Sequence, residues 1–426
     1  MKRIYLSATK SLAALLALGF VLSVSSCKRE GCTDPEATNY DEKAKEDDGS
    51  CNYPDVDDET TVTITSNITA DATWTSNKVH ILGGRIVVED GATLTIEPGT
   101  VIKGEAGTGA NATALIVARG GMLMAEGTAE APIIFTSVAD EITPEQVAGG
   151  DFASPNLDPD INGYWGGVIV LGKAKISASN DNGDVSEVQI EGIPTSDPNG
   201  LYGGSDDADN SGVIKYISIR HGGANIGSGN EINGLTMGGV GTGTVVENIE
   251  VIANQDDGIE WFGGTVDVKN VVVWNSGDDG LDTDQSWSGT VENFVVLAAT
   301  GHAFELDGPE GSFEAGHTIQ KGTVVMSDDD LGRVTEDIIN TDDNSIVDLK
   351  NIYFTGIVDG QMINRVVASE GSISFEGIEL DVPASELENY VDGDVPAGIT
   401  AGGSSKADVS VLSWTWTAQA GKLSGL

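Results

Sequence analysis

Cysteine is nearly absent from this chain: three residues in 426, all within the first 51. The body beyond Cys51 therefore cannot be a disulfide scaffold and cannot use a thiol nucleophile; packing has to hold it together. Basic residues are scarce as well. Against 67 Asp and Glu stand 22 Lys and Arg, a formal charge of -45, which excludes bulk electrostatic binding of nucleic acid or any other polyanion. The four histidines, His80, His221, His302 and His317, are scattered and give no zinc-type cluster. No Gly-x-Ser-x-Gly elbow occurs, and no Gly-rich phosphate loop followed by Lys-Ser/Thr. Only one stretch, Leu12–Val24, is continuously apolar, and it is too short for a stable membrane span.

That stretch follows Met1, Lys2 and Arg3, and a basic start before a short apolar core reads as a secretory signal. It ends in Val24-Ser25-Ser26-Cys27, which resembles a bacterial lipobox. The expectation is a signal peptide over 1–26, with Cys27 lipidated and each buried methylene of the anchor contributing about 0.8 kcal/mol. Cys32 and Cys51 remain as a pair that an exported compartment permits to oxidise, for about 3 kcal/mol in the chain-entropy picture. The run Gly31-Cys32-Thr33-Asp34-Pro35-Glu36-Ala37-Thr38-Asn39-Tyr40, continued by Asp47-Asp48-Gly49-Ser50-Cys51, resembles a GCTDPxAxNY…DDGSC module of bacteroidete surface proteins. Asp34, Asn39, Asp41, Asp47 and Asp48 are calcium-type oxygen donors, although the spacing is not that of an EF-hand; a disulfide-closed acidic spacer is the other reading. Residues 52–58 read as a linker.

From about Thr60 the texture changes. Glycines, with Asn and Asp, punctuate short runs rich in Val, Ile and Thr, the pattern of many short strands joined by tight turns. An internal repeat then emerges. Asn248-Ile249-Glu250-Val251-Ile252 leads to Asp256-Asp257-Gly258-Ile259-Glu260. Asn270-Val271-Val272-Val273-Trp274 leads to Asp278-Asp279-Gly280-Leu281-Asp282, and Asn293-Phe294-Val295-Val296-Leu297 to Gly301-His302-Ala303-Phe304-Glu305. Offsets of 22 and 23 residues are too short for a two-helix repeat and suit one coil of a parallel β-solenoid, each strand stacking on its equivalent about 4.8 Å away. A leucine-rich repeat has a similar period, but its Leu/Asn consensus is missing.

The wording of Gly91-Ala92-Thr93-Leu94-Thr95-Ile96-Glu97-Pro98-Gly99-Thr100-Val101-Ile102, with Tyr164-Trp165-Gly166-Gly167-Val168 and Arg220-His221-Gly222-Gly223, resembles the β-helix lipoproteins of bacteroidete outer membranes. These are related in fold to the pectate-lyase-like superfamily. The resemblance runs from about Thr60 to the C-terminus. It implies an all-β, right-handed, single-stranded parallel β-helix, and an outer-membrane lipoprotein facing either the periplasm or the cell surface. The expected organisation is a signal peptide (1–26), an anchor with acidic module and linker (27–58), a β-helix (59–375) and a C-terminal cap region (376–426). A short helix is expected over 385–391. Trp414 and Trp416 read as cap residues, with a sugar-stacking platform as the alternative.

The repeat stacks carboxylates: Asp256 with Asp278, Asp257 with Asp279, Glu260 with Asp282 and Glu305, with Asp284 and Asp307 nearby. Like charges one rung apart repel, and a bound calcium turns that repulsion into coordination. Asp-Asp-Gly is also an ordinary turn sequence, so turn-making alone is the competing account. The candidate metal ligands are Asp256, Asp257, Asp278, Asp279, Glu260 and Asp282, with Ca2+ as the ion. Arg220 and His221 are unusual in so acidic a chain; the repeat alignment sets them beside Ala253-Asn254 and Asn275-Ser276, with His302 on the same edge. A calcium-assisted polysaccharide lyase needs carboxylates for calcium and a basic residue for proton removal. Arg220, His221 and His302 are therefore binding or catalytic candidates, though Arg220 equally suits plain charge neutralisation.

The first functional expectation is a non-enzymatic surface lipoprotein binding glycans or a partner protein with calcium support. The second is a calcium-dependent lyase or glycoside hydrolase, and the third a structural subunit of an outer-membrane assembly. Whether Arg220 opens into a groove beside Asp257 and Asp279 separates the first two.

Overall fold

The computed structural model describes residues 29, 31–33, 39–46, 50, 60–227 and 231–426. The chain divides into two units, Met1–Glu59 and Thr60–Leu426. In the first, Gly31 and Lys45 N–H groups donate to the Glu46 and Arg29 carbonyls, Arg29 pairs with Asp41 at 2.7 Å, and Cys32 is buried. Cys27, Cys51, Asp34, Asp47, Asp48 and the signal segment lie outside the described residues.

The second unit is a parallel β-helix. Each full coil contributes a short strand to an eight-stranded sheet and a longer strand to a fifteen-stranded sheet, and every pairing within both is parallel. In-register stacking brings residues about two dozen apart into contact. Val251 pairs with Val273 and Val273 with Val296. The column they belong to runs Val62, His80, Ile102, Phe135, Ile219, Val251, Val273, Val296, Val324, Phe354, Leu380 and Ala401. Twelve rungs at about 4.8 Å give a stack roughly 50 Å long.

Alternation within each strand sends one set of side chains inward to a continuous core of Leu, Ile, Val and Phe. The core also holds an aromatic stack: Trp261 and Trp287 rings lie 4.7 Å apart, with His317 5.1 Å beyond. Burial keeps His317 neutral, its pKa pushed down to about 3. Gly322 is required where it stands, because any Cβ there would overlap the Phe294 ring one rung away.

The Asn that heads each repeat has a backbone reason. Asn248, Asn270 and Asn293 have φ of 60°, 58° and 62°, a left-handed bend inside a long strand that Asn tolerates better than most residues. Their amides also bond along the stack, Asn270 Nδ2 to Asn248 Oδ1 (3.1 Å) and Asn293 Nδ2 to Asn270 Oδ1 (2.8 Å). In earlier coils a turn does this job, so Thr93–Ile96 and Val101–Gly104 are separate strands.

Two features depart from expectation. The solenoid does not stop at residue 375: Ser372–Leu380 and Ile399–Ala401 continue the long sheet, while the short helix expected over 385–391 is present between them as a 3-10 helix, Leu387–Tyr390. Nor does the tail close the last coil. It returns along the outer face of the long sheet, where Leu412, Trp416 and Leu423 cover Ile252, Val272, Trp274, Val295 and Leu297. Those outward positions are apolar and need a cover, which is the physical reason that Trp414 and Trp416 are flank residues and not end-cap residues. Trp416 sits in a short helix, Trp416–Gln419, rather than in an extended segment.

The outer face of the eight-stranded sheet is covered too. Ile176, Ala178, Ile190, Ile193 and Tyr202, from the segment between Leu171 and Gly212, pack on Val87, Ile116, Ile169, Leu171 and Phe262.

Candidate metal centre

The strands Leu235–Gly238, Ile259–Phe262, Leu281–Asp284, His302–Leu306 and Asp337–Thr341 lie side by side in the eight-stranded sheet. Their inward residues join the core, leaving Thr236, Glu260, Asp282, Glu305 and Asn340 as one outward column in register. The preceding turns add Asp256, Asp257, Asp278 and Asp279. One of them ties coil to coil: Asp257 Oδ1 accepts the Asp279 N–H one rung away at 2.9 Å.

The outward column of the long sheet solves the same spacing problem differently. It reads Lys215, Glu247, Lys269, Glu292, Gln320, Lys350, Glu376, so that neighbouring rungs attract, as Lys215–Glu247 (3.3 Å) and Lys269–Glu292 (4.0 Å) do. In the acidic column, by contrast, three carboxylates follow one another. Two charges at one rung repel by about 1 kcal/mol at water's dielectric and by about 3 at an effective value of 20. These groups are not in open water: Asp257, Glu260, Asp279 and Asp282 are all buried. Among the described residues no Lys or Arg pairs with any of them; the one cationic neighbour is His302, whose Nδ1 lies 3.0 Å from Asp279 Oδ1.

Burial first, and neighbouring carboxylates second, push the acids toward their protonated forms. Asp257, Glu260 and Asp282 are raised well above the usual range. Asp256 and Asp284 rise to about 7, Asp307 to about 6 and Glu305 to about 8. His302 rises to about 9, held by Asp279. Without a cation, then, this face keeps protons at neutral pH.

The ligand atoms gather into three sets, each within 4.8 Å: Asp256, Asp257 and Asp278; Asp257, Glu260 and Asp282; and Asp279, His302 and Glu305. Five of the six expected ligands form the first two sets, which share Asp257. Asp279 joins His302 instead. The first two sets offer only carboxylate oxygens, which suit calcium. Beside them Asn233, also buried, donates its Nδ2 to Glu260 while its Oδ1 has no partner, a further oxygen for an ion to use. Gly301 allows the turns to approach, because a Cβ there would meet the Asp278 and Asp279 carboxylates.

Arg220 and His221 are elsewhere. Arg220 pairs with Ile252 and Trp274 along the stack, one position earlier than the sequence alignment set it. His221 shares its positive φ with Ala253 and Asn275, and the bend fixes that register. The Arg220 side chain is fully buried. Its Nε donates to Ser218 Oγ (2.7 Å), its Nη2 lies 3.6 Å from Glu250, and its guanidinium stacks 5.0 Å from the Trp416 ring centroid. His221 Nδ1 meets the Ile161 carbonyl at 2.5 Å, beneath the same Trp416. Neither residue faces an open groove, and neither joins the acidic sets.

Sequence reading passed over Glu191, which faces the cluster from a segment outside the repeat, over Asn233 as a ligand, although it stands in the earlier copy at the position of Asp257, and over Glu250, which lies inside the repeat but carries no counterpart at Val272 or Val295.

The family model described as a pectate-lyase like beta helix domain matches residues 66–345, about two thirds of the chain. The chain belongs to that family. No curated protein and no solved structure matches it significantly.

Proposed function

We propose that this β-helix binds rather than cleaves: it is an exported, lipid-anchored protein of a bacterial outer membrane that engages a glycan or a partner protein, with calcium holding its acidic face together. One observation carries the choice. The residue best suited to remove a proton, Arg220, is sealed under Trp416 and ion-paired with Glu250, away from the carboxylates that would hold calcium. The paired oxygen triads around Asp257 support calcium, and their burial makes its role one of support. For the ligand, an open groove of about 480 Å³ runs beside the acidic turns, lined by Asn162, Gln255, Gly277, Thr300, Gly332, Arg333 and Val334. Its amides, hydroxyl and guanidinium are the donors and acceptors that hydroxyl-rich ligands need.

The test incubates the full-length protein with uronic-acid polymers and calcium, and measures both new unsaturated ends and retention of the polymer on the protein. No new ends, together with retention weakened by Arg333→Ala, support the reading. Turnover of the polymer would move the protein to the lyase class, and retention on neither glycans nor outer-membrane proteins would leave a passive structural role. The anchor is tested separately: a fatty-acid label should be lost from Cys27→Ser.

A further inference from the structure

We propose that Asp279, His302 and Glu305 form a second metal site of different chemistry, which takes a transition ion of the zinc class in preference to calcium. This goes beyond the calcium reading and does not require it.

The stacking supplies the first argument. Gly258 N–H donates to the Asp279 carbonyl and Gly280 N–H to the His302 carbonyl, so Asp257, Asp279 and His302 occupy equivalent positions on successive coils. The next rung down carries Asp337. A column otherwise made of Asn233 and aspartates thus has one imidazole in it. Turn-making does not ask for imidazole, since Asp serves on the coils before and after. Neutralisation alone does not ask for it either, since this chain uses Lys for that purpose in its other outward column. What imidazole adds is a nitrogen ligand.

Geometry supplies the second. One ligand atom from each residue lies within 4.8 Å of the others. His302 Nδ1 lies 3.0 Å from Asp279 Oδ1, and no hydrogen-bond partner besides Asp279 meets it among the described residues. Two ligands each about 2.05 Å from a tetrahedral ion are roughly 3.3 Å apart, so the observed spacing is close to that of atoms sharing an ion. Asp279 is held in place by the His302 backbone N–H, and Asn340 Nδ2 donates to Glu305 Oε1 at 3.1 Å, an outer hydrogen bond that orients a ligand. One nitrogen and two carboxylates suit zinc or a neighbouring transition ion, whereas calcium asks for six to eight oxygens.

The experiment uses the full-length protein, stripped with chelator and returned to excess calcium so that the oxygen sites are filled. Cobalt(II) is then titrated as a visible probe, with zinc as competitor. The wild type should take one cobalt per chain, displaced by zinc. His302→Gln should weaken cobalt binding at least tenfold. His302→Asp restores the residue that the neighbouring coils carry, so it is expected to fold, and it should lose the preference for cobalt. In both variants the rise in melting temperature on adding calcium should survive, which separates a lost ligand from a lost fold. Equal cobalt binding by wild type and His302→Asp overturns the proposal. If calcium has no effect on the wild type while cobalt still depends on His302, the second site stands and the calcium reading falls.

Discussion

Chelation should destabilise this protein in a pH-dependent way, and the effect can be worked from the acidic face. Asp256 and Asp284, raised to about 7, Asp307 to about 6 and Glu305 to about 8, all lie above their unfolded values near 4. Groups of that kind stabilise fully below pH 4, and the contribution is lost as pH rises through 6 to 8. Over that interval the folded, metal-free chain holds on average about two protons that the unfolded chain does not, a slope of about 3 kcal/mol per pH unit before solvent screening and roughly half that after it. Calcium, bound as proposed above, should act in the opposite sense, because it would take the deprotonated carboxylates. At a hundred times its dissociation constant each site adds about 2.7 kcal/mol, so two sites add about 5. The β-helix unit spans Thr60–Leu426. At about 2.1 cal/mol/K per residue its unfolding entropy is near 0.8 kcal/mol/K, which makes the calcium effect about 7 °C. Thermal melts followed by circular dichroism at pH 6 and pH 8, with calcium and with chelator, measure both numbers. The melting temperature in chelator should fall between pH 6 and 8, and the gap between the two conditions should widen. A chelated protein that melts at the same temperature at both pH values, with no calcium shift at pH 8, would refute the reasoning.

Three further outcomes concern the scaffold. Glu250→Gln should cost about 3–5 kcal/mol in denaturant melts, because it leaves the Arg220 charge buried without its partner and disturbs the contacts from Thr417 N–H (2.9 Å) and Oγ1 (2.8 Å) that fasten the tail. Asn270→Ala should cost about 2 kcal/mol and Asn270→Gly distinctly less, since both lose the amide ladder but only alanine resists a φ of 58°; equal losses would mean that the hydrogen bonds dominate. Gly322→Ala should destabilise by about 1–3 kcal/mol through overlap with Phe294, and pairing it with Phe294→Leu should recover part of that loss.

The repeat was legible because stacking is its only long-range rule. A spacing of 22 or 23 residues places Val251, Val273 and Val296 in one column, and the same arithmetic places Glu260, Asp282 and Glu305 in another. The limits of legibility have the same origin. Repeat spacing places Arg220 one position late because the coil before Asn248 is longer, and nothing in the letters shows that Tyr216 takes the left-handed bend that Asn takes on later coils. Contacts made by segments outside the repeat carry no period at all. Glu191 reaches the acidic face, and Trp416 reaches Arg220, across sequence distances that no spacing rule encodes. By sequence the tail reads as an end cap because solenoids need ends covered; the stronger demand comes from an apolar flank.

That flank bears on why the acidic face and the Arg220 compartment are separate things. Along the outward positions of the long sheet, Ser218, Glu250, Val272 and Val295 follow one another, as do Arg220, Ile252, Trp274 and Leu297. Both columns turn from polar to apolar as they proceed down the helix. A ligand groove would keep its polar residues open to water, whereas here the C-terminal segment spans the change, meeting Glu250 with Thr417 and Trp274 with Trp416. Its far end is fastened by Lys422 to Asp328 at 2.7 Å, and Asp328 also accepts from Trp274 Nε1 at 3.0 Å. A segment tied at both polar ends and packed in the middle is built to stay. The charge at Arg220 is thus met inside the protein by Glu250 and the Trp416 ring, while the carboxylates on the neighbouring sheet have His302 as their one basic neighbour among the described residues. It is the acidic face, and not the Arg220 compartment, that keeps its carboxylates away from any Lys or Arg among the described residues.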